Sequence, residues 1–226
     1  MHRVILLVYK YRCHCQLGLL RRAMKQDGWN VGHGIGPHNQ HMYKSRVGLF
    51  DVDYLGHINN AATLSHAEYA RWDMAAESGL LQKMMSDNIA FFVTANFVRY
   101  RREVRPLFRS FQVETSVSAM NERHIWFTHN FRYLDGSNID KDTQNRIRTQ
   151  VMVQAVIIQK GKVLTPYDFF VQECGYDDKL IQSILLPDGE HVSDVNVLNS
   201  YQNLDDAMRA VAAKDDATHG THVDNK

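Results

Sequence analysis

The hydrophobic pattern of the chain predicts a series of strands in its middle third. Residues 111 to 119 and residues 125 to 133 alternate apolar and polar side chains with a period of two. The short polar break at residues 121 to 124 predicts a hairpin between them. Residues 42 to 49 form an earlier candidate strand, and residues 147 to 160 form a long later one. We therefore expect a largely antiparallel sheet.

The segment Ile89 to Tyr100 has a different pattern, because apolar side chains occupy both of its faces. Phe91, Val93 and Phe97 lie on one face, and Phe92 and Val98 lie on the other. A strand with this pattern is typically covered on both sides. We predict a strand that is buried on both faces.

One segment has the composition of a helix. Residues 61 to 76 contain six alanines and neither glycine nor proline. Asn59 and Asn60 are both good N-cap residues, with Asn60 the stronger candidate, and Gly79 lies where a left-handed stop is expected. A strand, one helix and four further strands predict an α+β fold in which a single helix covers one face of the sheet, a pattern that several α+β sandwiches share.

Composition limits the number of domains and the classes of partner. The chain has 226 residues, of which 44% are hydrophobic, which is enough for one sizeable core and predicts one domain with extensions. A formal net charge of +1 gives no field that would hold a polyanion, so no nucleic-acid partner is expected.

The three cysteines show no disulfide-rich spacing, which favours a reducing, intracellular compartment. Cys13-His14-Cys15 has no second ligand pair, so no metal site is predicted.

The first 41 residues are interpreted as a basic extension and a linker. Residues 1 to 26 contain six basic and no acidic side chains, and the apolar run Val4 to Val8 is too short to span a bilayer. Two interpretations stay open: a targeting or membrane-contacting segment, and an unstructured extension. We therefore expect an intracellular location, either cytoplasmic or mitochondrial. Residues 30 to 40 are rich in glycine and contain Pro37, which predicts a linker.

The last part of the chain, residues 166 to 226, is interpreted as a C-terminal extension. Residues 177 to 186 and residues 197 to 213 predict short amphipathic helices, and the polar residues 214 to 226 predict a disordered tail. No candidate chemistry lies in this extension.

The turn that precedes the helix, residues 50 to 60, concentrates reactive side chains. It holds two carboxylates, an imidazole, two carboxamides and a glycine. A carboxylate at Asp53, beside a helix N-terminus, stays ionised because the helix dipole favours negative charge. The same helix end presents N–H groups to an oxyanion. Asp51 would face the opposite side of an extended segment, which indicates a structural role.

A spaced pattern runs through this turn and into the helix: Asp51-x-Asp53-x-x-Gly56-His57-x-Asn59-Asn60, then Glu68-x-x-Arg71. This pattern resembles the signature of the hotdog-fold acyl thioesterases of the 4-hydroxybenzoyl-CoA thioesterase type. Within that superfamily it is most similar to the eukaryotic branch called thioesterase superfamily member six. The resemblance covers roughly residues 43 to 165.

The resemblance implies a fold and an activity. The fold is a hotdog domain over residues 42 to 165, in which an antiparallel sheet wraps around one long helix, and two such subunits join into a homodimer or a dimer of dimers. The activity is hydrolysis of an acyl-CoA or acyl-carrier thioester to the free acid, in lipid metabolism. The resemblance implies neither a metal nor a redox cofactor.

The resemblance also assigns roles to residues. Asp53 is the base or nucleophile, with an Asx turn or cap as the alternative role, and His57 orients water, contacts the thioester oxygen or assists Asp53, with a structural role equally open. The residues expected to bind substrate are Gly56, Asn59, Asn60 and Glu68. The resemblance places Glu68 and Arg71 near the pocket of the partner subunit, although an exposed ion pair three residues apart on a helix is the ordinary alternative.

Two further groups of side chains admit both a functional and a structural interpretation. The aromatic residues of residues 89 to 97 could line an acyl tunnel, but a sheet core needs them equally and is preferred. Arg99, Arg101, Arg102 and Arg105 could meet the phosphates of coenzyme A or form a solvated edge.

Two other functions compete with hydrolysis. A non-catalytic acyl-lipid-binding protein that retains the hotdog fold is the main alternative. A hotdog dehydratase is disfavoured, because the histidine and the carboxylate lie in the turn and helix arrangement of a thioesterase.

Overall fold

A computed structural model describes residues 33–36, 38–134 and 146–186. The strands are β1 (His41–Arg46), β2 (Ile89–Tyr100), β3 (Ser110–Met120), β4 (Ile125–Tyr133), β5 (Thr149–Gln159) and β6 (Lys162–Leu164). The helices are α1 (Asn60–Glu77), α2 (Leu80–Ser86), α3 (Pro166–Asp168) and α4 (Asp178–Gln182), with a π-helical turn at Phe169–Glu173. The predictions for residues 1 to 32, for residues 197 to 213 and for the polar tail lie outside the described residues.

The strands form one antiparallel sheet in the order β1-β3-β4-β5-β2, with β6 paired to β5. The predicted hairpin joins β3 to β4, where the Asn121 N–H donates to the His124 carbonyl at 2.9 Å. Lys160 and Gly161 both have positive φ, which is the backbone of a two-residue hairpin turn and explains why β6 follows β5 at once. The α+β order is confirmed, and β6 was not predicted.

Helix α1 begins at Asn60, one residue before the start that an N-cap at Asn60 would give. Asn59 has an extended backbone, and its Oδ1 accepts a hydrogen bond from the Ala62 N–H at 2.8 Å. The prediction that Asn60 is the better cap is wrong, because Asn60 already has helical geometry as the first residue of α1. At the other end Gly79, with φ of +79°, adopts the expected left-handed stop.

One face of α1 packs against the sheet. Ala62, His66, Ala70 and Met74 recur at a spacing of four residues, and all are buried. This stripe joins a core that contains Phe111 and the other inward side chains of the strands. Among the described residues, no helix is both long enough and apolar enough to cross a membrane.

The prediction that β2 is buried on both faces is wrong. β2 lies at an edge of the sheet, and Phe92, Val93 and Tyr100 are 54%, 42% and 48% exposed. An apolar run shows only that both faces of a strand are suited to burial. It does not show whether other elements of the same chain pack against both faces.

The compact part extends beyond the limits predicted for the hotdog domain. Ile35, inside the predicted linker, is 1% exposed, and it pairs with Val117 of β3. Gly34 has φ of +77° and lies so close to Met74 that a Cβ there would clash with the methionine sulfur. Beyond residue 165, Phe169 and Phe170 are fully buried. Gly34 to Gly36 are therefore not a free linker, because Ile35 is buried in the core and Gly34 packs closely against Met74.

Candidate active site

The turn between β1 and α1 folds back on itself. Val52 and Ile58 form an antiparallel bridge, and the Asp53 N–H donates to the His57 carbonyl at 3.1 Å. Gly56 adopts φ of +75°, which a side chain would strain. These backbone constraints place Asp53 and His57 next to each other across a tight turn.

Asp53 and His57 contact each other through their side chains. The Asp53 Oδ2 lies 3.4 Å from the His57 Nδ1, and the two side chains are 28% and 19% exposed. The other oxygen, Oδ1, accepts a hydrogen bond from the Leu55 N–H at 2.9 Å. Asp53 therefore makes the Asx turn that was the alternative prediction and also pairs with the histidine.

His57 opens onto a groove of about 250 Å³ at the N-terminus of α1. Asn60 and Thr63 line it from the helix, and Tyr100 and Arg101 line it from the end of β2. The N–H groups of Asn60 and Ala61 precede the first intrahelical hydrogen bond, so they point outward at this helix end. Asp53 does not itself line the groove, but its Oδ2 contacts His57, which does.

Glu103 is a groove residue that the sequence interpretation missed. Its Oε1 lies 3.9 Å from the His57 Nε2, and its Oε2 lies 3.1 Å from the Arg105 Nε. His57 is thus placed between two carboxylates, with Asp53 at Nδ1 and Glu103 at Nε2. In the sequence, the signal for this residue was that Glu103 is acidic within the otherwise basic run of residues 99 to 105.

Asp51 has the structural role that was predicted for it. Its Oδ2 accepts a hydrogen bond from the Gly48 N–H at 2.8 Å and lies 3.1 Å from the Nε2 of His66, which is buried on α1. Burial of Asp51 would raise its pKa, but the hydrogen bonds from His66 and Gly48 outweigh burial and lower the pKa. This contact ties the turn to the helix.

Of the four predicted substrate-binding residues, Asn60 lines the groove, and Gly56, Asn59 and Glu68 do not. The carboxamide oxygen of Asn59 is engaged in the helix cap, and Glu68 lines a separate, mostly apolar cavity of about 100 Å³ with Trp72 and Phe91. Phe91 also packs against Phe127 with ring centroids 6.2 Å apart, which fits its preferred core interpretation. His57 and Asn60 share one groove, Gly56 lies on the exposed side of the turn, and the substrate roles of all of these residues stay predictions.

An arginine rim borders the groove. Arg101 and Arg102 line the groove and also a neighbouring depression of about 420 Å³, which Arg132 and Arg146 complete. Arg102 further borders a third depression of about 620 Å³ with Arg148. Guanidinium groups concentrated in this way suit phosphate and carboxylate ligands.

The chain and its fold match a known family. The family model of the Thioesterase-like superfamily matches residues 47–177, more than half of the chain, so the chain belongs to this superfamily. The structure also resembles that of YbaW, a probable thioesterase from Escherichia coli, with a TM-score of 0.51 at 20% identity over 62% of this chain and 98% of that one. The hotdog fold that the sequence implied is confirmed.

Individual relatives match shorter stretches of the chain than the family model does. Protein THEM6 of Xenopus laevis is 30% identical over 92 residues, which is 41% of this chain and 44% of that protein. The long-chain acyl-CoA thioesterase FadM of Escherichia coli is 42% identical over 57 residues, which is 25% of this chain and 43% of that protein. The chain therefore spans less than half the length of the curated relatives it matches.

Proposed function

We propose that this chain hydrolyses acyl thioesters, with Asp53 as general base and His57 as the residue that orients the reacting groups. The observation that carries the proposal is the 3.4 Å contact between the Asp53 carboxylate and a histidine that opens onto a groove at a helix N-terminus. Membership of the Thioesterase-like superfamily supports the reaction class. An enzyme of this kind serves lipid metabolism.

The proposed reaction uses water as the nucleophile. Asp53 accepts a proton from a water molecule, whose oxygen forms a bond to the thioester carbonyl carbon. The carbonyl oxygen gains negative charge, which the outward N–H groups and the dipole of α1 stabilise. The carbon–sulfur bond then breaks, and the proton on Asp53 passes to the departing thiolate. Because Asp53 does not line the groove and its Oδ1 is held by Leu55, action through water is favoured over direct attack.

The arginine rim supports coenzyme A as the carrier. Coenzyme A carries phosphate groups, and Arg101 and Arg102 line the same groove as His57. The name of FadM specifies a long-chain acyl-CoA, so long acyl chains are the first substrates to test.

The proposal includes a homodimer. β2 is an edge strand of 12 residues with exposed apolar side chains, and a second copy of the chain offers the same strand as a partner. Such pairing would also cover the apolar faces that Phe92 and Tyr100 present.

The test of the mechanism is Asp53→Asn, assayed against a panel of acyl-CoA chain lengths. The variant keeps the size of the side chain and removes its charge, so kcat should fall roughly 10²-fold or more while the thermal transition changes little. Glu122→Gln is the matched control, because Glu122 is an exposed carboxylate in the β3–β4 hairpin. Asp51 is unsuitable as a control, because its carboxylate bonds to Gly48 and His66.

Two outcomes would overturn parts of the proposal. Wild-type activity in Asp53→Asn would remove Asp53 from the mechanism. Saturable binding of acyl-CoA by the wild-type protein, without turnover of any chain length, would instead favour the acyl-lipid-binding alternative.

The role of the rim is tested by Arg102→Gln. Loss of one phosphate contact should raise KM for acyl-CoA by roughly 2- to 10-fold and leave kcat unchanged. KM for the matching acyl-pantetheine, which lacks the nucleotide, should not change. Arg123→Gln, in the β3–β4 hairpin, is the control. An equal rise in KM for both substrates would show that Arg102 does not contact the nucleotide.

A further inference from the structure

The C-terminal end of α1 carries a second cluster of titratable side chains. Glu77 is the last residue of α1, His41 begins β1, and His33 belongs to the segment that packs on β3. An 18-residue helix rises about 1.5 Å per residue, so roughly 25 Å of helix lies between this cluster and the Asp53–His57 turn. The cluster is therefore separate from the proposed thioester site.

Three donor atoms of this cluster converge on one point. The His33 Nε2 lies 2.8 Å from the His41 Nδ1, and the Glu77 Oε2 lies 3.4 Å from that Nδ1 and 3.6 Å from the His33 Nε2. A zinc ion bonded to imidazole nitrogen and carboxylate oxygen at about 2.0–2.2 Å, with tetrahedral geometry, holds its ligand atoms about 3.3 Å apart. The two separations that involve Glu77 lie close to that value, whereas the 2.8 Å between the two histidine nitrogens is a hydrogen-bond distance that would widen by roughly 0.5 Å when both bind one ion.

A fourth side chain orients the buried histidine. The His41 Nε2 lies 3.0 Å from the Oδ2 of Asp73, which is one helical turn before Glu77, and His41 is 2% exposed. Since the Nε2–H donates to this carboxylate, the lone pair of Nδ1 faces His33 and Glu77. Metal-ligating histidines almost always donate their second ring N–H to a carboxylate or carbonyl in this way.

We infer that His33, His41 and Glu77 bind one divalent transition-metal ion, with Zn²⁺ the best match, and that Asp73 is a positioning residue. Two imidazoles and a carboxylate suit zinc, and water would fill the fourth position. The partial negative charge at the C-terminus of α1 also attracts a cation. The ion would join three parts of the fold, namely α1, β1 and the segment that contains Ile35.

No local motif in the sequence marks this site, and no metal was predicted. His33 and His41 lie in a stretch that was interpreted as a linker, and Glu77 is 36 residues further along the chain than His41. No short metal motif connects them. The pairing of Asp73 with Glu77, four residues apart on one helix face, was the accessible signal.

Calorimetric titration of the full-length, chelator-treated protein with Zn²⁺ tests the inference. The wild-type protein should bind one ion whose affinity falls at least roughly 10-fold in both His33→Gln and Glu77→Gln. Asp73→Asn should weaken binding by about 10- to 100-fold without removing a ligand. His38→Gln is the matched control, because His38 is exposed in the same segment and does not belong to the cluster.

Titration with Co²⁺ gives a second readout that a loss of folding cannot imitate. Wild type and His38→Gln should develop the same visible absorption bands of a low-symmetry Co²⁺ site, and His33→Gln should not develop them while its thermal transition in chelator stays cooperative. If the wild-type protein binds no ion, or if His33→Gln and Glu77→Gln bind it with unchanged affinity, the inference is wrong. Unchanged affinity would mean that other histidines of the chain hold the metal.

Discussion

His129 is a buried titratable group that should make folding stability depend on pH. Its side chain on β4 is fully buried, and its Nδ1 lies 2.9 Å from the Thr115 Oγ1. Burial and, to a smaller extent, the charge of Arg71 hold the pKa of His129 well below its usual value. The ring therefore stays neutral in the folded protein at neutral pH.

This depressed pKa predicts a loss of stability on acidification. Below about pH 6.5 the unfolded chain binds a proton at His129 that the folded protein excludes, so the free energy of unfolding falls as pH falls. The slope attributable to this residue should approach about 1.4 kcal/mol per pH unit. Urea unfolding from about pH 7.5 to about pH 5.5 measures it, and His129→Gln should remove this part of the slope. The exposed His38→Gln should retain the wild-type slope, and an unchanged slope in His129→Gln would contradict the assignment.

At the residue scale, the sequence located the reactive turn but not its long-range contacts. Asp53 and His57 are four residues apart, so their pairing was accessible from the local pattern. Glu103 reaches His57 from the end of β2, and His66 reaches Asp51 from α1. Contacts of this kind depend on how the elements pack, and neither the hydrophobic period nor the composition of a segment predicts that packing.

At the scale of elements, local signals were sufficient for most of the fold. The period-two alternation of β3 and β4 and the alanine-rich composition of α1 each identify an element without reference to the rest of the chain. The same rules failed at Gly34 to Gly36, because glycine was interpreted as flexibility. In the structure, glycine there permits a close approach to Met74, and Ile35 fills a place in the core.

The N-terminal segment gives a prediction at this scale. The sequence alone predicts that removing residues 1 to 40 leaves the core folded and active, but such a truncation deletes Ile35 and two backbone hydrogen bonds to Val117, of 2.9 and 2.7 Å. Loss of a buried isoleucine costs roughly 2–5 kcal/mol. A protein that lacks residues 1 to 40 should therefore be less stable by about that amount than one that lacks only residues 1 to 32. Urea unfolding of both truncations in chelator measures the difference, and equal midpoints would show that the segment contributes nothing to the core.

At the scale of the whole molecule, the sequence could not predict what packs against the apolar faces of β2. The run from Ile89 to Tyr100 gave a correct strand and a wrong burial pattern, since half of its side chains are exposed in a single copy. The same run would satisfy the original prediction in a dimer, where a second sheet edge and its neighbouring side chains cover β2. The hydrophobic pattern then describes the assembly and not the isolated chain.

A homodimer through β2 predicts a specific response to one substitution. β5 pairs with one side of β2, and among the described residues no strand pairs with the other side, which leaves backbone N–H and C=O groups open at that edge. Light scattering should therefore give twice the chain mass of 26.1 kDa at micromolar concentration. Phe92→Lys places a charge on this edge, which natural proteins use to prevent edge pairing, and should yield monomers. Phe108→Lys, at a residue that is 63% exposed in the turn before β3, should stay dimeric. A monomeric wild-type protein, or a Phe92→Lys protein that remains a dimer, would show that β2 is not the interface.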